Sequence, residues 1–231
     1  MPFGFFDPTI VLVLPALILA MWAQWKVQST YQKYSKIRAA NGLTGRQMAQ
    51  MIMTRNGVND VAIEEVGGVL SDHYDPRTKR VRLSPPNYEE PSLAAIAVGA
   101  HEVGHVLQHA QGYMPLGIRS AIAPVANIGS MLAFPLFFIG FFFHSGASTM
   151  LMDLGLLFFA GAVVFALITL PVEFDASKRA LRQLTETGSL APQEVAGAKA
   201  VLDAAALTYV AAAAVAAFQL LRMVLLRNSR N

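Results

Sequence analysis

The chain has 231 residues, of which 54% are apolar and only 14% charged, with a formal net charge of +3. Soluble domains carry about 25% charged residues, so part of this chain is expected in lipid. It contains no cysteine, which excludes a disulfide frame and a thiolate metal site and leaves His, Asp and Glu as ligands. The mild positive balance forms no basic stripe interleaved with aromatics. Nucleic acid is therefore set aside as a partner, and the charges are expected to flank membrane spans on the cytoplasmic side.

Residues 8–25 are apolar, with Pro15 tolerable in a bilayer helix. Trp22 and Trp25 stand where an interfacial aromatic belt belongs, and Lys26, Lys33, Lys36 and Arg38 follow. A signal peptide carries its charge before the apolar core, so this run is expected to be an uncleaved first span with its N-terminus outside.

Residues 26–117 are expected to form a soluble region. Thr44-Gly45-Arg46-Gln47 resembles a capping box opening a short amphipathic helix that stops near Asn56-Gly57. In residues 66–83, β-rich runs flank Asp75-Pro76-Arg77-Thr78, which predicts a hairpin. Val81 and Leu83 alternate with Arg80 and Arg82, the pattern of a sheet edge with one wet face, and such an edge could hold an extended peptide.

Residues 91–113 hold the chemistry. Ser92 is a candidate N-cap, Leu93, Ala94, Ile96, Ala97 and Val98 lead in, and Gly112 is a candidate stop. Inside this helix lies His101-Glu102-Val103-Gly104-His105. Residues four apart on a helix share a face, so both imidazoles can hold one metal ion while Glu102 addresses a water beside it. That is the H-E-x-x-H pattern of a zinc metalloprotease: two neutral His ligands and a general base.

Residues 119–143 and 149–171 are expected as two further spans joined by a polar turn at 144–148, with Asp153 interfacial. Lys178, Arg179 and Arg182 then fit a cytoplasmic return. Residues 172–203 read as a soluble helical segment, broken near Thr187-Gly188-Ser189 and reopening near Pro192. Residues 204–226 are alanine-rich and expected to span a fourth time, although that topology puts Arg227 and Arg230 outside.

A catalytic zinc site needs a third protein ligand and an open position. His109 lies well around the helix from His101, His73 sits in the hairpin, and His144 is expected on the far membrane side. Glu173 and Asp175 follow the third span directly, so two crossings return them to the level of the histidines. Glu173 is the expected ligand, with Asp175 the alternative or a supporting partner. His73, Tyr74, Tyr88 and Arg179 are candidate oxyanion donors that sequence alone does not rank. Gln108 and His109 could orient ligands, though a solvated face is the plainer expectation.

HEVGH, the upstream DHYDPRTKRVRLSPPNY and the downstream VEFDASKRAL together resemble the YugP-type neutral zinc metallopeptidases of bacterial membranes. Residues 173–177 also resemble the glutamate-ligand motif of HtpX-like membrane proteases, where an Asp stands at the place of Ser177. The resemblance implies His101, His105 and Glu173 as ligands of one Zn2+ ion and Glu102 as base. The expectation is a mostly α membrane protein with about four transmembrane helices and a small α+β zincin-like catalytic part. Its expected activity is hydrolysis of a protein or peptide substrate at the cytoplasmic face of the bacterial cell membrane. The competing expectation is a membrane scaffold with a structural or vestigial zinc site. Oligomeric state is not legible.

Overall fold

The computed structural model describes residues 8–68, 71–143 and 147–229. It is mostly helical and divides into two compact units. One comprises residues 23–117 and 171–208, the other residues 1–22, 118–170 and 209–231.

In the first unit, helix α2 (Gly45–Arg55) opens on the expected capping box: Thr44 Oγ1 accepts from the Gln47 N–H, and the Gln47 side chain accepts from the Thr44 N–H. Its apolar side, Met48, Ala49, Ile52 and Met53, is fully buried. A three-stranded sheet follows: β1 (Ala62–Glu65), β2 (His73–Asp75) and β3 (Arg80–Leu83), in the order β1-β3-β2. The β2–β3 hairpin forms as expected, and Asp75 anchors its turn by accepting from the Arg77 N–H and the Thr78 hydroxyl.

The sheet edge is elsewhere than expected. β3 is the central strand, because the unforeseen β1 pairs parallel to its other side, and β2 is the edge that lies against the zinc-motif helix. Its wet and dry faces are as expected, with Val81 and Leu83 fully buried. The Val69–Leu70 part of the expected first run lies outside the described residues.

After a short helix α3 (Pro85–Glu89), helix α4 (Leu93–Ala110) starts where Ser92 Oγ accepts from the Ala95 N–H. It ends before Gly112, whose φ of +65° is left-handed. Helix α4 is buried along most of its length, and crosses α2 so closely that a Cβ on Gly99 would lie 2.5 Å from the Gly45 carbonyl oxygen. The core of this unit gathers Met48, Ile52, Leu83, Ile96, Val103, Leu107 and Leu184.

Among the described residues, three helices are long and apolar enough to cross a membrane: α5 (Met114–Phe142), α6 (Ser148–Glu186) and α7 (Pro192–Asn228). They contain the expected runs at 119–143, 149–171 and 204–226. Two of them extend further than expected. α6 continues through Pro171 into the 172–203 segment, and α7 begins at Pro192 without a break at 204. The first apolar run, 8–25, forms a 3-10 turn at Pro8–Leu12 and the opening half of α1 (Leu14–Ser35). α1 is not among the three, because its second half is polar. Part of the expected polar turn, His144 included, lies outside the described residues.

Within the second unit, α5 and α6 touch through glycines. A Cβ on Gly155 would meet the Ala133 carbonyl oxygen at 2.7 Å, and one on Gly140 the Ser148 carbonyl oxygen at 2.5 Å. Phe137, Met152, Phe159 and Met223 fill the space between α5, α6 and α7. Arg227, at the end of α7, pairs with Asp153, near the start of α6, at 2.9 Å, so these helices run antiparallel. Arg222 Nε donates to Thr9 Oγ1 at 3.3 Å, which sets the start of the first apolar run beside the end of α7.

Candidate metal centre

Helical spacing puts His101 and His105 on one side of α4, with ring centroids 4.9 Å apart. Gly104, between them, has no side chain for a reason. A Cβ there would stand 2.4 Å from the Ala176 carbonyl oxygen of α6. The two backbones therefore touch at Gly104 and Ala176, and Glu173, one turn before Ala176, arrives opposite the histidines. Glu173 Oε2 lies 3.2 Å from His101 Nε2 and 3.6 Å from His105 Nε2.

Among the described residues, these three form the group able to hold a metal ion, with ligand atoms all within 4.8 Å of one another. The donors fit zinc. Ligands about 2.0–2.1 Å from a tetrahedral ion stand about 3.3 Å from each other, close to the separations seen between carboxylate and imidazoles. The set is two nitrogens and one oxygen, which leaves a fourth position open.

The outer nitrogens of both rings are held as well. Gln108, expected on a solvated face, is instead fully buried. Its Nε2 donates to the Val172 carbonyl at 2.8 Å and to Asp175 Oδ2 at 2.9 Å, while its Oε1 lies 3.0 Å from His105 Nδ1. Two acceptors at Nε2 fix the amide's orientation, so Oε1 must accept and His105 Nδ1 must carry the proton. That tautomer leaves the His105 Nε2 lone pair facing Glu173. Ser177 Oγ lies 3.2 Å from His101 Nδ1 and can accept from it in the same way. Asp175 touches Gln108 and Arg179, at the border of the site.

Glu102, the next residue after His101 on the same turn, is buried. Burial pushes its carboxyl up to about 7; His101 opposes the rise, Glu173 adds to it, and the Tyr74 backbone N–H opposes it by donating to the carboxylate. Burial also acts to raise Glu173, but the two imidazoles, when both of their nitrogens are protonated, outweigh it and hold it well below the usual carboxylate range.

The remaining candidates are not brought to the ligands. His73 binds the Ser71 carbonyl and Arg82. The Tyr74 hydroxyl meets His109 Nδ1 at 2.7 Å. Arg46 lies over the Tyr88 ring. Arg179 bonds Asp175 and Gln111 and lies over the Tyr113 ring. Sequence reasoning passed over Gly104 and misplaced Gln108. The signal for Gln108 was its i+3 spacing from His105, which sets it over the same helix face.

Helices long and apolar enough to cross a bilayer, and a His–His–Glu group that could hold a metal ion next to a buried carboxylate, are the features of a membrane protein with a candidate metal site. The chain belongs to the family described as "putative neutral zinc metallopeptidase", whose model matches residues 9–228. It is 49% identical over 217 residues, 94% of this chain and 95% of the relative, to a protein of Bacillus subtilis (strain 168) described as "putative membrane protease YugP". No solved structure matches the chain.

Proposed function

We propose that this chain is a membrane-embedded zinc-dependent endopeptidase whose ligands are His101, His105 and Glu173 and whose general base is Glu102. The observation that carries the reading is the convergence of two imidazoles and a carboxylate on one point, with a second carboxylate buried on the adjacent residue. A zinc ion held there supplies Lewis acidity and a water of lowered pKa. With the ion held by His101, His105 and Glu173, Glu102 would serve as the base, accepting a proton and passing it to the leaving amine. The substrate is a protein or peptide segment, which β2, the edge strand of the sheet, can hold in extended form beside Glu102.

The reading extends to topology: four spans, an external N-terminus, and the metal centre at the cytoplasmic face of the cell membrane. The Arg222–Thr9 contact supports the first run as a fourth member of the apolar unit. The Arg227–Asp153 pair supports a C-terminal arginine tolerated outside, since its charge is matched there.

The test is metal content and casein cleavage of purified protein in parallel. Glu102→Gln should keep one zinc per chain and lose at least about a thousandfold in turnover. Glu173→Ala should lose the zinc itself. Stoichiometric zinc with no cleavage by the unaltered chain would favour a scaffold with a structural ion.

A further inference from the structure

A cavity of about 140 Å³ lies between the sheet and α4, lined by Val58, Val61, Tyr74, Val106, His109 and Ala110, with Asp60 and Lys79 at its mouth. Nothing in the metal centre uses it, yet it adjoins the centre on two sides. Val106 is one turn beyond Glu102 on the same face of α4. Tyr74, in the edge strand, touches Glu102 with its backbone N–H and lines the cavity with its side chain.

We propose that this cavity is a substrate side-chain pocket, selecting an uncharged apolar residue close to the scissile bond: Leu, Ile, Met or Phe. The inference rests on the peptidase reading and names what that site accepts. A peptide laid along β2 with its scissile carbonyl beside Glu102 sends alternate side chains to the face of the sheet on which Tyr74 projects.

Size and chemistry select the guest. The lining is half apolar and half polar, and a space of about 140 Å³ has room for a branched aliphatic or a phenyl group against its apolar side. Its walls are Val58, Val61, Val106 and Ala110, with Val58 and Val106 buried in the core. The polar groups at the mouth already serve one another. Lys79 Nζ lies 2.5 Å from Asp60 Oδ2, and the Tyr74 hydroxyl lies 2.7 Å from His109 Nδ1. A charged guest would have to break one of those pairs, whereas an apolar one fills the space and leaves both intact.

The experiment is cleavage-site profiling of the full-length, zinc-loaded protein in detergent on a proteome-derived peptide library, read by mass spectrometry. One position within two residues of the cut should favour Leu, Ile, Met or Phe over Ala by at least tenfold. Ala110→Leu, at the exposed end of α4, should erase that preference at full zinc content. Val61→Phe fills the opposite wall and should do the same, so a folding defect in one variant leaves the other decisive. A preference for acidic or basic residues, or an apolar preference untouched by both variants at full zinc content, would overturn the pocket while leaving the peptidase standing. No cleavage of any peptide by the zinc-loaded chain would remove the peptidase, and the pocket with it.

Discussion

Helices approach through glycine in both units of this molecule, but for different ends. In the apolar unit, Gly140 and Gly155 let α5 and α6 close up around phenylalanines and methionines. In the other unit, Gly104 lets α4 and α6 close up around His101, His105 and Glu173, a group that could hold one metal ion. Apolar packing tolerates displacement, because another side chain can shift to refill the gap. A ligand set does not, because metal bonds are fixed to about 0.2 Å.

The sharpest way to break that comparison is one methyl group. Gly104→Ala places a carbon 2.4 Å from the Ala176 backbone, so the helices must separate and Glu173 must leave the histidines. Zinc affinity should fall at least about a hundredfold, measured by competition with a chromophoric chelator, with cleavage lost in step. Gly155→Ala likewise drives a carbon into backbone, 2.7 Å from the Ala133 carbonyl oxygen. It should lower the melting temperature of the detergent-solubilised protein while zinc affinity stays within threefold. Equal losses of zinc affinity in the two variants would mean that the units respond as one.

Next in size are the groups behind the ligands. Gln108→Leu removes the acceptor from His105 Nδ1 and the amide donor shared by the Val172 carbonyl and Asp175, leaving Asp175 to Arg179 alone. A loss of about 10–100-fold in zinc affinity is expected. Ser177→Ala should cost less, because a hydroxyl at 3.2 Å holds His101 more weakly. Ser177→Asp, placing a carboxylate against the imidazole, should restore or tighten binding. If all three variants bind zinc as the unaltered chain does, the outer nitrogens are not what orients the rings.

How much of this was legible depends on whether a signal is local. The H-E-x-x-H pair, the Ser92 and Thr44 caps and the Asp75 turn are written within a few residues, and each forms where expected. Glu173 was legible only through chain topology: a segment leaving for two apolar runs must come back, and the first carboxylate after the return meets the histidines. The place of β3 was not legible, since the partner that makes it central, β1, is four residues long with no apolar alternation. Gln108 misled because a polar side chain on an apolar helix looks solvated until α6 covers it. Gly104 read as an unconstrained position of the motif, although the backbone of α6 rests on it.

A smaller effect separates metal-free protein from the loaded form. Glu102 has a folded pKa of about 7, raised from an ordinary 4.5, so the folded state holds a proton that the unfolded state releases. Stability of the metal-free chain should therefore be unpenalised below about pH 4.5, decline as pH rises towards 7, and stay low above it, by about 3 kcal/mol at most. Glu173 does not confuse this window, because its depressed pKa moves its own loss of stability to more acid pH. Glu102→Gln carries no titrating proton, so its melting temperature should exceed that of the unaltered metal-free chain at pH 8 and match it near pH 4.5. A difference that does not vary with pH would show that Glu102 is not protonated in the metal-free fold.

The smallest expected effect comes from the apolar unit, where charge bears on direction rather than distance. Asp153 and Arg227 are both partly exposed, so their pairing adds little to stability, and Asp153→Asn should shift the melting temperature by no more than about 2–4 °C. Its value is as a marker. Residues 153 and 178 both belong to α6 and lie 25 positions apart in sequence, more than the roughly 20 residues that cross a bilayer. The chain has no cysteine, so single cysteines can be introduced without background. Cysteine at 153 or 227 should react with a membrane-impermeant maleimide added to intact cells, and cysteine at 178 only after the membrane is opened. Labelling of 227 from the same side as 178 would mean that α7 does not cross, and the fourth span would be lost although the metal centre stands.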